Sequence, residues 1–577
     1  MSSEPLLDLL VIGAGLSGLA VARFYLSIHP LARVLVLEKS SSVGGPWGRK
    51  RAYPGFWSQS GIRMSGFSDV PLTVPPEADV FNDIFEAKYV TDYLERYLDE
   101  HVYDGRMLRE RVRTGVEVER VVKLDGVWTV NGAVRDSGER LILRTKGLIV
   151  ATGMTSAPRM PLFVGQDEFD GRILHQKDYG RVLSEGVSSH LKIAVLGAGK
   201  SAADIVYGLA KAGNEVHWLI RKSGTGPGAF TNPAENAKGP FLNDPELAAT
   251  RLFATLSPSC FNAPNWWTRF LHNTAMGETL VKGVWDGADA KCKRIGNFHE
   301  REGAREGFRM LESDVSLFWC TGPFGMIQRP DFWDTIARNV RVHRHDIERL
   351  ADHIVVLQDG PSLPIDIIIC ATGFTNEYPF FTSQQKVDLG LPHTVSDSAD
   401  EKEWVGLEAA ADMEVLSRYP KLAHAPATKQ NHLTKNSTPN RLYNNIAPLS
   451  DRSIAFVGNV YAPNGFRVAE VQAIWTTALF DGLIQLPSID AMRKEIAWVN
   501  AFMKRRYPTH GAGGNYLQYD MMGYIDRLLG EVGLKSHLQV WWWRRWMFPM
   551  IAADLGSVAE EFEEKYRFAA RATASYP

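Results

Sequence analysis

The chain of 577 residues has four cysteines, Cys260, Cys292, Cys320 and Cys370, with no CxxC pair and no metal-ligand spacing among them. That excludes a disulfide scaffold and a redox-active dithiol, gives no reason to expect a metal, and makes a reducing, cytoplasmic compartment the expectation. Neither sign of charge is in excess. Lys and Arg number 64 against 66 Asp and Glu, a net charge of −2, so nothing points to nucleic acid or to an acidic surface as partner. No apolar run is long enough to cross a bilayer, which takes about 20 residues. The stretch Leu6–Ile12 carries Asp8, lacks a basic leader and runs straight into a glycine turn, so it is expected to be a core strand and not a signal peptide. The aromatic-basic stretch Leu538–Ala553 is broken by Arg544 and Arg545. Packing of its tryptophans into the core is the expectation, with substrate-tunnel lining or peripheral membrane contact as the alternatives. No repeat of solenoid period is present. What the chain does have is 45% hydrophobic residues, ample for several cores, over a length that allows roughly three or four domains.

Two glycine-rich turns repeat one design. GAGLSG (Gly13, Gly15, Gly18) follows LLDLLVI, and GAGKSA (Gly197, Gly199, Ser201, Ala202) follows LKIAVL. In such a strand–turn–helix the first glycine makes the tight turn and the second admits a pyrophosphate. The third, or a small substitute such as Ala202, lets helix pack on strand. The ends of the following strands distinguish the two. Glu38 lies 20 residues past Gly18, where a carboxylate accepts ribose hydroxyls and repels a 2′-phosphate, which suits the adenosine half of FAD or NAD. Arg221 lies 19 residues past Ala202 with Lys222 beside it, and cations there suit the 2′-phosphate of NADPH. Enzymes that join these two cofactors in order to reduce disulfides need a dithiol. Without one, the electrons go most simply to dioxygen.

Between the turns, FDGRILHQKDY (Phe169–Tyr179) matches the FxGxxxHxxx(Y/F) fingerprint, and the chain resembles the class B flavin-dependent monooxygenases. The resemblance extends in order through GGPW (Gly44–Trp47), ATG (Ala151–Gly153), DIIICATGFTNEYPF (Asp366–Phe380) and SIAFVGNVYAPNGFRVAEVQ (Ser453–Gln472). It implies an α/β fold of two doubly wound, Rossmann-like domains, with FAD and NADPH as cofactors. It also implies a C4a-(hydro)peroxyflavin that passes one oxygen atom from O2 to a small organic substrate. Gly45, Trp47, Thr372, Gly373 and Gln472 would join the cofactor sites. His175 would couple the domains without acting as a general base, and Tyr179 closes the fingerprint. Ungapped counting back from FSDVP puts Gln59 where the family usually has an Asn at the flavin edge. Baeyer–Villiger enzymes end this fingerprint in Trp followed by Pro or Asp; Tyr179–Gly180 here favours oxygenation at nitrogen or sulfur. Baeyer–Villiger oxidation of a ketone and an NADPH oxidase without oxygen transfer are the rivals. The many aromatics hint at a bulky apolar substrate from a specialised biosynthetic pathway.

Along the chain, residues 1–165 are expected to form the first FAD segment, with a scaffold helix at Ala87–His101 and a hairpin about Asp125–Gly126. Residues 166–360 would be an inserted NADPH domain containing a partly helical insertion over 224–339. A hairpin near 360 would lead into the returning FAD segment, 361–486, with an irregular loop over 382–450 serving as lid or decoration. A C-terminal extension follows over 487–577. His175 and Tyr179 are four apart, which would stack them on a helical face, although Gly171 and Gly180 favour a loop.

Overall fold

Each glycine turn joins a strand buried on both faces to a helix, and each such unit seeds one sheet. The computed structural model describes residues 5–184, 190–232, 240–327, 329–427 and 436–574. In the first unit β1 (Leu7–Ile12) leads into α1 (Leu16–Ile28) and β2 (Val34–Leu37). The amphipathic helix α2 (Lys88–Glu100) follows, then β3 (Val112–Arg113), β4 (Val116–Leu124), β5 (Val127–Val134) and β6 (Arg140–Val150). The sheet order is β3-β2-β1-β6-β5-β4, parallel from β3 to β6 and antiparallel beyond. The β4–β5 turn has Asp125 and Gly126 both at positive φ, the two-residue hairpin that this dipeptide favours.

The second unit comprises β7 (Arg172–His175), β8 (Lys192–Leu196), α3 (Lys200–Lys211) and β9 (Glu215–Leu219). After the insertion, with its long helix α4 (Ala275–Gly296), come α5 (Phe332–Asn339), β10 (Val340–His343) and β11 (Ile367–Cys370). The order is β7-β11-β8-β9-β10, parallel throughout. Two expected borders move. The strand β11 was expected to open the returning FAD segment. It pairs instead with β7 and β8, so the second unit runs past 360 to about residue 370. Helix α5 packs on α3 as part of the doubly wound core, so the insertion ends before it. A parallel pair, Ala229–Thr231 with Phe324–Met326, closes the neck of the insertion; residues 233–239 of TNPAENAKGP lie outside the described residues. The expected hairpin near 360 is a three-stranded antiparallel sheet, Ile347–Ala351, Ile354–Leu357 and Ser362–Pro364.

The chain crosses between the units twice, and the crossings pair with each other: Ala157–Pro158 is antiparallel to Phe374–Thr375. The stretch expected to be an irregular loop holds α6 (Ala399–Arg418), 20 residues long. Its polar sequence hides a narrow buried stripe, Trp404, Ala411 and Val415. Next β12 (Ile454–Phe456) completes the first sheet beside β6, and α7 (Gly465–Phe480), buried on nearly every side, packs on α1. The extension continues as α8 (Ile489–Arg506), α9 (Met521–Val532), α10 (Trp542–Met547) and α11 (Gly556–Ala574). It shares one apolar core with α1 and α7. Arg467 of α7 pairs with Glu470 at 2.8 Å and donates to the carbonyls of Gly66 and Ala552, tying loop, helix and extension together. The expectation for Trp541–Trp543 fails: all three are exposed. No helix among the described residues is long and apolar enough to cross a membrane.

Candidate active site

The two turns are built identically at their first glycine. Gly13 has φ +109°, and a Cβ there would lie 2.4 Å from the Ala151 carbonyl oxygen. Gly197 has φ +137°, and its Cβ would lie 2.3 Å from the Ala371 oxygen. Gly13 N–H donates to Leu37 at 2.7 Å and Gly197 N–H to Leu219 at 3.0 Å, so each turn is hung from the end of its neighbouring strand. The two ATG trios thus do more than mark crossings: the alanine of each is the floor on which a glycine turn sits. At the third position a Cβ on Gly18 would lie 1.9 Å from the Gly13 oxygen, whereas the second turn accommodates the buried Ala202.

The middle glycines differ in kind. A Cβ on Gly15 meets nothing within 4 Å, and one on Gly199 meets only Pro323 at 3.9 Å. Both face open space at the N-termini of α1 and α3, where neither N-cap residue supplies a side-chain hydrogen bond. Uncapped backbone N–H groups at the positive end of a helix, beside open space, fit a pyrophosphate. Both cradles therefore fit dinucleotides.

At the first cradle Glu38 bridges Ala14 N–H at 2.9 Å and Ser40 N–H at 2.7 Å, which fixes its carboxylate at the mouth of the turn. The GGPW turn closes the other side. Gly44 N–H donates to Ala14 at 2.8 Å, a Cβ on Gly45 would stand 3.7 Å from Gly15 Cα, and Trp47 stacks on Phe56 with centroids 5.4 Å apart. Gln472, expected among the cofactor ligands, is fully buried. Its carbonyl accepts from Gly458 N–H at 2.8 Å and its amide donates to Tyr524 at 2.9 Å, so it supports the Gly458 turn from behind.

Arg221 is half-buried at the rim of the second cradle, Lys222 is exposed beside it, and Ser201 lies in the first turn of α3. Arg159, on the first crossing, is a cation that the sequence reading missed. Burial and then the nearby Arg221 hold its guanidinium below the usual range, so two arginines from different units face one region. Thr372 and Gly373 stitch the crossings together: the Thr372 hydroxyl donates to the Arg159 carbonyl at 2.5 Å, and Arg159 N–H donates to Gly373 at 3.0 Å. Lys200, also missed, is clamped by both oxygens of Asp204 at 2.5 Å.

The fingerprint residues sit at the junction. His175 ends β7 and Tyr179 opens a short helix, so they do not share a helical face. The His175 ring is buried. Its Nε2 lies 2.8 Å from the Gly373 carbonyl and its Nδ1 accepts from Lys177 N–H at 3.1 Å, an assignment that needs a neutral ring protonated on Nε2. Burial lowers its pKa below 6.5. With both nitrogens committed to backbone, His175 holds the second crossing and has no lone pair left for proton abstraction. Tyr179, buried, meets Tyr53 of the first unit edge-on at 5.0 Å. The Gln59 amide is committed across the junction: Oε1 accepts from Met326 N–H at 2.9 Å, and Nε2 lies 3.5 Å from the Met326 carbonyl. It clips the first unit to the segment 320–326, which also passes Gly199 and Lys200. Near Cys320 of that segment, Tyr461 stacks on Tyr516 (4.6 Å, 6°), backed by His510 (5.0 Å, 22°), and Tyr461 is partly exposed. Tyr461 lies in a motif that the sequence offers; Tyr516 has no sequence signal.

His175→Leu is expected to keep FAD while slowing anaerobic flavin reduction by NADPH about tenfold, the cost of roughly one buried hydrogen bond. The neutral ring contributes fully above pH 6.5, and its contribution is lost as pH falls through the lowered folded value. Rapid-mixing rates should therefore fall on the acid side in the parent and lack that arm in the variant.

Residues 10–235 match the family model described as pyridine nucleotide-disulphide oxidoreductase. The chain is 32% identical over 556 residues to FAD-dependent monooxygenase rstn6 of Aspergillus nomiae, covering 92% of this chain and 93% of that one. Its fold is similar to that of cyclohexanone monooxygenase from Rhodococcus sp. Phi1 bound to NADP+, with a TM-score of 0.59 and 17% identity over 92% of this chain and 97% of that one. It is also similar to S-allyl-L-cysteine S-oxygenase from Allium sativum, with a TM-score of 0.52 and 17% identity over 99% and 98%.

Proposed function

The chain belongs to the FAD-dependent monooxygenases, and from that premise we propose that it uses NADPH and O2 to oxygenate a bulky, apolar organic substrate at nitrogen or sulfur. FAD, held in the first cradle, would supply the redox chemistry that links NADPH, held in the second, to O2. The protein's part is position and exclusion of water. Glu38 would hold the adenosine ribose of FAD, and Arg221 with Arg159 would hold the 2′-phosphate of NADPH. Gln59, His175 and Tyr179 would keep the two cradles in register. The observation that carries the reading is the pair of open middle glycines, Gly15 and Gly199, in two units that meet at Gln59–Met326.

The close of the fingerprint at Tyr179–Gly180 supports heteroatom oxygenation over Baeyer–Villiger chemistry. The stacked Tyr461–Tyr516–His510 wall supports a substrate with a flat unsaturated part, since offset stacking on a preorganised ring suits such a group. The test is product mass from sulfide, tertiary amine and ketone panels incubated with NADPH and 18O2. A labelled sulfoxide or N-oxide is expected. Labelled ester from the ketones alone would overturn the choice, and NADPH consumption with hydrogen peroxide as sole product across all panels would favour the oxidase.

Gln59→Leu preserves approximate volume but releases Met326. Loss of one or two hydrogen bonds worth about 0.5–1.5 kcal/mol each should raise hydrogen peroxide formed per NADPH several-fold. Peroxide yield with substrate present checks this.

A further inference from the structure

Within the turn at Trp541–Met547 four large apolar side chains lie in solvent, Trp541 at 76% exposed, Trp542 at 71%, Trp543 at 46% and Met547 at 47%, while Trp546 is half-buried. Trp541 precedes the helical turn with extended backbone, and Trp542 and Trp543 are about 100° apart around it, so the three rings do not share one face. A flat partner surface would cover one face of such a turn, whereas a fluid apolar medium can follow rings that point in different directions. Arg544 and Arg545 follow directly. Arg544 is half-exposed, with the Asp554 carboxylate at 3.5 Å. The turn is rigidly mounted. Arg251 donates to the Arg545 carbonyl at 3.3 Å while gripping Asp526 at 2.7 and 2.9 Å, and Trp543 rests edge-on against Phe548 at 5.8 Å. Leu247 and Leu252, on the adjoining helical turns, add exposed apolar surface.

We propose that this turn is a membrane-surface anchor, which seats Trp541–Trp543 in the headgroup layer of an anionic bilayer with Arg544 and Arg545 against lipid phosphates. An indole combines a large apolar face with one N–H donor, the combination that suits the boundary between acyl chains and water. Guanidinium pairs with phosphate through two parallel hydrogen bonds. Charge complementarity selects this occupant over a second copy of the chain, because in a symmetric contact through this turn the same two arginines would approach each other. A turn of six residues lies in the interface and does not span it.

Flotation of the full-length, FAD-loaded protein with vesicles tests this. The protein is expected to float with phosphatidylcholine–phosphatidylserine vesicles at low salt, and much less with phosphatidylcholine alone. The double variant Trp541→Ser/Trp542→Ser should lose at least about tenfold in partitioning to both vesicle types. Arg544→Glu/Arg545→Glu should lose the preference for phosphatidylserine, about thirtyfold or more. Both should oxidise NADPH in vesicle-free buffer at the parent's rate, which establishes that they are folded. Three results would overturn the proposal: a parent that stays at the bottom of the gradient with both vesicle types, a tryptophan double variant that floats as well as the parent, or a parent that ignores vesicles but forms a concentration-dependent dimer abolished by that variant.

Discussion

Gly15→Val is expected to purify folded and colourless, while Gly199→Val is expected to purify yellow and to resist reduction by NADPH. The reasoning turns on what each side chain would meet. Gly15 and Gly199 have extended backbone, φ −78° and −81°, which valine adopts without strain, and their Cβ positions face open space. The free protein therefore tolerates either change. The loss comes when the ligand's pyrophosphate needs the space that the isopropyl group fills, and steric exclusion at that point removes binding outright. Gly13 and Gly18 make the contrast. Valine there would collide with the backbone at 2.4 and 1.9 Å, so those variants are expected to unfold rather than to separate cofactor loss from folding. Flavin absorbance after gel filtration, a thermal melt and anaerobic NADPH titration read all three outcomes. If Gly199→Val loses flavin and Gly15→Val keeps it, the two cradles have been assigned in reverse.

Arg221→Ala should raise the KM for NADPH by roughly ten- to 150-fold, the equivalent of about 1.5–3 kcal/mol for a charge-assisted hydrogen bond, and leave NADH oxidation nearly unchanged. Arg159→Ala should act in the same direction. In the free protein the two guanidinium groups oppose each other, and Arg221 adds to burial in holding the Arg159 pKa down. A dianionic 2′-phosphate between them would turn that repulsion into shared attraction, so the double variant should lose less than the sum of the singles. The parent should prefer NADPH strongly at limiting concentration. Equal use of both nucleotides by the parent, or an Arg221→Ala variant that loses NADPH and NADH alike, would remove the 2′-phosphate from this rim.

The two nucleotide units were legible because a strand–glycine turn–helix is local: the residues that shape Gly13–Gly18 or Gly197–Ala202 lie within one short stretch, and Glu38 and Arg221 follow at fixed spacing. Contacts made over long separations were not legible. The strand β11 reads as an apolar run before an ATG, and only its pairing with β7 and β8 assigns it to the second sheet. Gln59 was legible as a residue near the site, but its partner Met326 is 267 positions away. Helix α6 was missed because its surface is polar nearly all round and its buried stripe is only a few residues wide. Trp541–Trp543 misled for the opposite reason. Apolar bulk in sequence predicts burial, and here the three rings stay 46–76% exposed.

The neck of the insertion carries a mechanical consequence. The nucleotide unit between β7 and β11 is joined to the first unit by the paired crossings at Ala157–Pro158 and Phe374–Thr375. It is joined again through the insertion that leaves it at the neck Ala229–Thr231 and Phe324–Met326, because that insertion is bolted to the C-terminal extension. Arg506 donates to Ser257 at 3.0 Å and to the Phe318 carbonyl, and Cys260 N–H donates to Asp520 at 3.2 Å. A body held at its crossings, at Gln59–Met326 and again through its insertion has little freedom to swing away from the first unit. Wide hinge opening would have to tear one anchorage. The disorder that a nucleotide must quench on arrival is correspondingly small, so association should be governed by entry past the rim, with little entropy lost in gathering separate bodies.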